Sequence, residues 1–239
     1  MSSELKSADY ALFEFCCSPT SAIGTYAPAG AVVVRCTKDD NAKNKDSVRE
    51  LLAGVAHCRE LGVPVVLWAS MPCTGGSSWQ TVNIARFGVT PKLRGHWEEF
   101  RSLWNSFSQV ARLVLQCKGL VANEWPQRCQ YWHDRKVKQM IKHFTNTTID
   151  SCAYGLRPVR AHAADEYIGK PWRIAASSRD FAAALNRRCD KSHRHVTTEA
   201  AETAASAYYP PALARAIHAG ARQFARGFRG GLKGGAAEH

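Results

Sequence analysis

The chain has 239 residues, 45% of them hydrophobic and 22% charged, with a formal net charge of +12 at pH 7. That size suits a single globular domain with a sizeable core, and no apolar run approaches the length needed to cross a bilayer. The opening MSSELKSADY has no apolar signal core, so no secretion signal is expected and the location is read as intracellular, nuclear or cytoplasmic. Nine cysteines in such a chain point to reduced thiols, a subset of them available to a metal. The excess of cations bears on partners rather than on fold. Phosphate backbones are the commonest polyanions such a surface meets, so nucleic acid, DNA or RNA, is the expected partner. A membrane surface is disfavoured, because no basic amphipathic helix with a long apolar face stands out.

Short apolar runs alternate with helical stretches, which is the α/β signature. Strands are predicted at Ala11 to Cys16 and Ala31 to Arg35, separated by the turn-rich CSPTSAIGTYAPAGA. A helix capped by Asp46 runs to Leu61, with Leu51, Leu52, Val55 and Cys58 on one face, and Gly62 ends it. Pro64 to Ala69 is apolar on both faces and reads as a central parallel strand. A loop from Ser70 to Ser78 continues as a long connection to Arg94. A helix from His96 to Cys117 carries Trp97, Phe100, Leu103, Trp104, Phe107 and Val110 at core spacing. A strand from Gly119 ends in Glu124-Trp125-Pro126, and a basic helix covers Asp134 to Phe144. Thr147 to Ala153 and Pro171 to Ala175 are further strands, Arg179 to Leu185 a short helix, and Pro211 to Phe228 the last helix. Residues 1–228 thus form one domain with a zinc-site element around 150–200, and 229–239 a flexible Gly-rich tail.

Functional loops of such sheets sit at the carboxyl ends of the strands. That rule puts Cys16 to Gly24, Arg35 to Asp40, Ser70 to Gln80 and Asn123 to Pro126 along one edge. The first loop, from Glu14 through Cys16 and Ser18 to Gly24, has small residues whose backbone could approach a ligand, or it is an ordinary turn. Cys73, on the Gly-rich loop Pro72-Cys73-Thr74-Gly75-Gly76, stands where a nucleophile would be held, or it is incidental to a small-residue cofactor loop. Glu124 could bond a base ring nitrogen or act as a general acid, or merely cap a helix. Cys189, His193 and His195 put three zinc ligands into a C-x3-H-x-H run. Tetrahedral zinc then needs a fourth ligand, for which Cys152 is the candidate and Cys129 an alternative.

Taken in order, these segments resemble the cytosine-5 DNA methyltransferases. The closer likeness is to methyltransferase-like domains of algal, dinoflagellate and retroelement-derived proteins. The matching strings are Pro72-Cys73-Thr74, Glu124-Trp125-Pro126 with Trp132, Cys152-Ala153-Tyr154-Gly155-Leu156, Lys170-Pro171, Cys189/His193/His195 and Tyr209-Pro210. The resemblance implies a Rossmann-like, class I methyltransferase-type sheet, mostly parallel and flanked by helices, with a small zinc-stabilised C-terminal part. It implies an S-adenosylmethionine-dependent activity in which Cys73 attacks a pyrimidine at C6, Glu124 contacts N3, and Arg160 (or Arg157) assists. It favours Cys152 as the fourth zinc ligand. The cofactor would lie between the loop after Cys16 and the Arg35 to Asp40 segment, touching Glu14, Cys16, Ser18, Gly24, Thr37, Asp39 and Pro72. The chain departs from the pattern in places. Only residues 17–30 separate the first two strands, the first loop lacks the usual glycines, Thr74 follows Pro-Cys, and no separate target-recognition domain fits. A catalytically inactive, zinc-stabilised nucleic-acid-binding module of the same fold is the alternative expectation.

Overall fold

A computed structural model describes residues 2–37, 40, 43–158, 165–196 and 206–234. The central sheet has six strands: β1 (Tyr10–Cys17), β2 (Ala31–Thr37), β3 (Val65–Ala69), β4 (Leu120–Pro126), β5 (Thr145–Asp150) and β7 (Pro171–Ala176), in the order β2-β1-β3-β4-β7-β5. The first four are mutually parallel, while β7 runs antiparallel to both β4 and β5. The expected mostly parallel α/β sheet is therefore present. Two three-residue strands, β6 (Glu166–Ile168) and β8 (Arg194–Val196), pair in parallel as a separate small sheet.

Helices cover both faces of the large sheet. On one face, α3 (Lys45–Glu60) and α5 (Pro91–Gln116) bury Val55, Phe100, Trp104, Phe107 and Val114 against Phe13, Phe15, Leu67 and Val121. On the other, α7 (Arg179–Ala184) and α8 (Pro211–Gly234) bury Phe181, Leu213, Ile217 and Ala221 against Leu12, Val66, Trp68 and Ile174. The alternation of strand side chains between faces makes this sandwich possible. All five residues of β3 are buried, as expected for a strand covered on both sides. Short helices α1 (Ser2–Lys6), α2 (Ala22–Thr25), α4 (Trp79–Phe87) and α6 (Arg135–Met140) complete the set. Because β2 and β3 flank β1 on opposite sides, the chain order reverses at β1, and a crevice for ligands is expected where the carboxyl ends of β1 and β3 diverge.

Several boundaries differ from the pattern-based reading. The long connection after Ser78 contains α4, whose exposed, mixed side chains give no core periodicity. Helix α5 begins at Pro91 rather than His96, because Thr90 caps it through the Leu93 amide and proline occupies the first turn. Helix α3 is capped by Asn44, not Asp46, whose backbone N–H is the group that Asn44 accepts from. Helix α6 stops at Met140, short of Phe144. The strand expected at Thr147 to Ala153 is shifted to Thr145–Asp150 and followed by a 3-10 turn at Ser151–Tyr154. Helix α8 continues past Phe228 to Gly234, inside the segment read as a tail. Thr90→Ala should cost about 1 kcal/mol, the usual worth of an N-cap hydroxyl. A urea titration showing no loss would place the start of α5 elsewhere.

Candidate functional site

At one end of the sheet, the ligand atoms of Cys152, Cys189, His193 and His195 lie within 4.8 Å of one another. Cys152 stands in the 3-10 turn directly after β5, and His195 lies on β8. Cys189 is held by Asp150 at the end of β5, whose carboxylate accepts from the Cys189 amide and from Arg188 Nε, both at 2.9 Å. The Cys189 sulfur is 3.5 Å from His193 Nε2 and 3.4 Å from His195 Nε2, and the two Nε2 atoms are 3.0 Å apart. Tetrahedral zinc with ordinary Zn–S and Zn–N bond lengths places its ligand atoms roughly 3.3–3.8 Å apart; both Cys189–histidine distances fall in that range, the imidazole pair is tighter, and the four donors together could hold such an ion. His193 turns its Nδ1 toward the Asp190 carboxylate at 4.0 Å, so an acid stands behind the imidazole on the side away from the other donors. Burial, then the neighbouring Cys189, raise the Cys152 thiol pKa; a cation would replace the proton there. The sulfur of Cys129, the alternative ligand, instead lies beside Gly76.

A second centre forms at the carboxyl ends of β3 and β4. The Cys73 loop leaves β3, and Glu124 stands near the end of β4 in the strand beside it. Gly75 and Gly76 let the turn press against its neighbours. A Cβ at Gly75 would fall 2.4 Å from the Tyr131 hydroxyl, and one at Gly76 would fall 2.7 Å from the Cys129 sulfur. Trp97 Nε1 donates to the Gly75 carbonyl at 2.9 Å, and Trp125 Nε1 donates to the Met71 carbonyl at 2.8 Å. These indoles fix the loop to α5 and to β4. The Tyr209 hydroxyl donates to Glu124 Oε2 at 2.5 Å. Glu124 Oε1 and both amide atoms of Asn123 are buried without a partner. Burial pushes the Glu124 carboxyl up to about 7, against the lowering effect of the Tyr209 hydrogen bond and the Lys170 cation. Burial also raises the Cys73 thiol, with Lys170 pulling it down and Glu124 pushing it up. Cys73, Glu124 and Lys170 thus share one electrostatic site. Lys170 is itself held by the Ser206 carbonyl and hydroxyl at 3.1 and 3.3 Å. Lys170 and Tyr209 were not among the residues read as catalytic, although the dipeptides Lys170-Pro171 and Tyr209-Pro210 carried part of the signal.

The described residues expected to cradle S-adenosylmethionine make the following contacts. Glu14 is 2% exposed and accepts from the Ser21 hydroxyl. Burial raises its carboxyl, opposed by Ser21 and by Arg35. Gly24 faces the Arg35 side chain, whose guanidinium would lie 2.1 Å from a Cβ there. The amide and hydroxyl of Thr37 both donate to Asp40, at 2.7 and 2.9 Å. Cys16 has a left-handed backbone, at φ 61°, and is half-buried. Ser18 bonds Thr20, and Pro72 is exposed. Glu14, Gly24 and Thr37 thus make contacts within the protein, while Glu14 Oε2 stays buried without a partner. Asp39 and Arg160 lie outside the described residues. Arg157 stacks on Tyr167, 4.2 Å from the ring centroid, and donates to its hydroxyl at 2.7 Å. Tyr167 in turn packs on His193, so Arg157 belongs to the Cys/His corner.

Among the described residues, no helix is long and apolar enough to cross a membrane. Comparisons with protein families, curated proteins and solved structures find no match to this chain.

Two measurements follow from these geometries. Elemental analysis of the purified protein is expected to find a bound metal that Cys189→Ser loses, and chelation should lower the Tm, since ligation energy at a closed site is folding energy. An unchanged Tm after chelation counts against the site. A carboxyl raised from 4.5 to about 7 on folding binds more protons folded than unfolded. Its contribution to stability is therefore complete below pH 4.5 and lost as pH rises through 7. Glu124→Gln should remove a loss on the order of 3 kcal/mol between pH 4.5 and 8, read as a flatter stability-against-pH curve than the parent's.

Proposed function

We propose that this chain is a metal-stabilised domain of the methyltransferase type that binds nucleic acid and addresses a pyrimidine with Cys73, Glu124 and Lys170. The observation that carries the reading is the meeting of Cys73 and Glu124 at the carboxyl ends of adjacent parallel strands, with one lysine cation acting on both. Glu124, titrating near neutrality, can donate a hydrogen bond to a ring nitrogen in its protonated form. Its unpartnered Oε1 offers a further polar contact to a base edge. Lys170 stabilises the thiolate that addition to a ring carbon requires. The four-ligand Cys/His cluster leaves no open coordination position, so the metal, taken as zinc, acts as a structural brace. The net charge of +12 suits a polyanion.

Methyl transfer from S-adenosylmethionine is the second reading. The nucleophile-and-acid pair favours it, and the internal engagement of Glu14, Gly24 and Thr37 favours a domain that keeps the base centre without the cofactor. Titration calorimetry with S-adenosylmethionine separates the two. Cytosine-containing oligonucleotides then test the base centre itself. Thiol addition at C6 allows the C5 hydrogen to exchange with solvent, and Cys73→Ala is expected to abolish that exchange while leaving oligonucleotide affinity intact. Exchange undiminished in Cys73→Ala, or absent from the unaltered protein, would remove Cys73 from the chemistry.

A further inference from the structure

Helix α4 follows the Cys73 loop and buries none of its residues. It exposes two large aromatic rings, Trp79 at 66% and Phe87 at 72%, together with Val82. A tryptophan left in water on a helix with no buried face lacks a packing role, and large exposed apolar groups mark interaction surfaces. The stretch of sequence that carries them is one-sided in charge. From Leu61 to Trp97 the sequence has no aspartate or glutamate, while Arg86, Lys92 and Arg94 lie within α4 and the start of α5.

We propose that α4 is a stacking platform for single-stranded nucleic acid, with Trp79 and Phe87 each taking the face of a base and Arg86, Lys92 and Arg94 meeting the phosphates. The inference rests on the reading of the chain as a nucleic-acid-binding domain and names the form of nucleic acid that its site takes. Exposed aromatics interleaved with cations are the recurrent chemistry of single-strand grooves. Base faces are free to stack on a side chain only where the strand is unpaired, and a base must leave its stack before a buried thiol can reach it. The two aromatic positions are eight residues apart, about 12 Å along the helix axis, so they suit two separate bases rather than a sandwich on one. Asn83 and Gln80 interrupt the apolar side chains, which suits a nucleic acid better than a continuous apolar partner. The platform is fixed relative to the thiol. Gln80 Nε2 donates to the Thr74 carbonyl at 3.2 Å, and the turn between Cys73 and Trp79 is pinned to α5 by Trp97. A strand lying on α4 is thereby led toward Cys73.

The test is fluorescence anisotropy of a labelled single-stranded oligonucleotide and its duplex, with the full chain and the variants Trp79→Ala, Phe87→Ala and Arg86→Ala, at several salt concentrations. Both aromatic side chains are exposed, so these variants should keep the parent's circular dichroism and Tm. Trp79→Ala and Phe87→Ala should each weaken single-strand binding by about tenfold without altering its salt slope, because no cation is lost. Duplex binding should change little. Arg86→Ala should flatten the salt slope instead. Single-strand affinity unchanged in both aromatic variants would overturn the platform while leaving nucleic-acid binding in place. Equal losses on single strand and duplex would also overturn it. Absence of binding by the unaltered protein to either form would overturn the broader reading as well. Loss of binding to phosphatidylserine vesicles, with oligonucleotide affinity retained, would reassign the rings to a lipid surface.

Discussion

Burial of β3 and β4 on both faces is the constraint on which the rest of the site depends. A strand covered on both sides has no water at its flanks, so any polar side chain placed near its end enters a low-dielectric region. Glu124 responds as a buried acid must, by taking a higher pKa and gathering whatever partners the chain supplies. Those partners come from distant segments: Tyr209 just before α8, and Lys170 before β7. Tyr209 also packs edge-on to Trp68 and Trp172, so its hydroxyl is aimed by apolar neighbours rather than by the acid alone. The C-terminal part of the chain therefore completes the polar end of the sheet as well as covering one face.

The Cys/His corner and the Cys73 centre are joined through a serine. Ser151, next to Cys152, donates its hydroxyl to the Ile168 carbonyl at 2.7 Å and accepts from the Lys170 amide at 2.9 Å. Its own amide donates to the Lys170 carbonyl at 3.1 Å. Ser151 is fully buried, so these bonds are shielded from competing water. A metal that fixes Cys152 thus fixes the backbone carrying Lys170. A structural ion can in this way matter to a centre whose atoms it does not touch.

The large sheet was legible because strand and helix periodicities are local. Val65 to Ala69 reads as a buried strand without knowing its neighbours, and Phe100, Trp104 and Phe107 mark a helix face by spacing alone. Cys189, His193 and His195 were legible for a related reason, since cysteine and histidine at short spacing carry their chemistry in their identity, whereas Cys152 came from its place near a strand end and from the resemblance. What spacing could not give was long-range pairing. Nothing around Tyr209 says that its hydroxyl meets Glu124, and nothing at Gly24 says that Arg35 fills the space over it. Strands β6 and β8 were missed because three residues hold too few alternations to signal a strand, and their partners lie far apart in the chain. Helix α4 escaped for the opposite reason to the core helices: it buries nothing, so it shows no apolar stripe to read.

Both sides of the carboxyl edge carry buried polarity that the chain answers only in part. On the β1–β2 side, Glu14 Oε1 accepts from Ser21, Arg35 reaches the Ser21 carbonyl at 3.4 Å and Thr37 donates to Asp40, while Glu14 Oε2 and Arg35 Nε stay buried without a partner. On the β3–β4 side, Asn123 has neither amide atom partnered and Glu124 keeps one oxygen unpartnered, although both residues are almost wholly buried. Leaving such atoms unanswered costs about 1–3 kcal/mol each. The β3–β4 side differs instead in the groups its acid gathers: Tyr209 bonds Glu124, while the Lys170 cation acts on both Glu124 and Cys73.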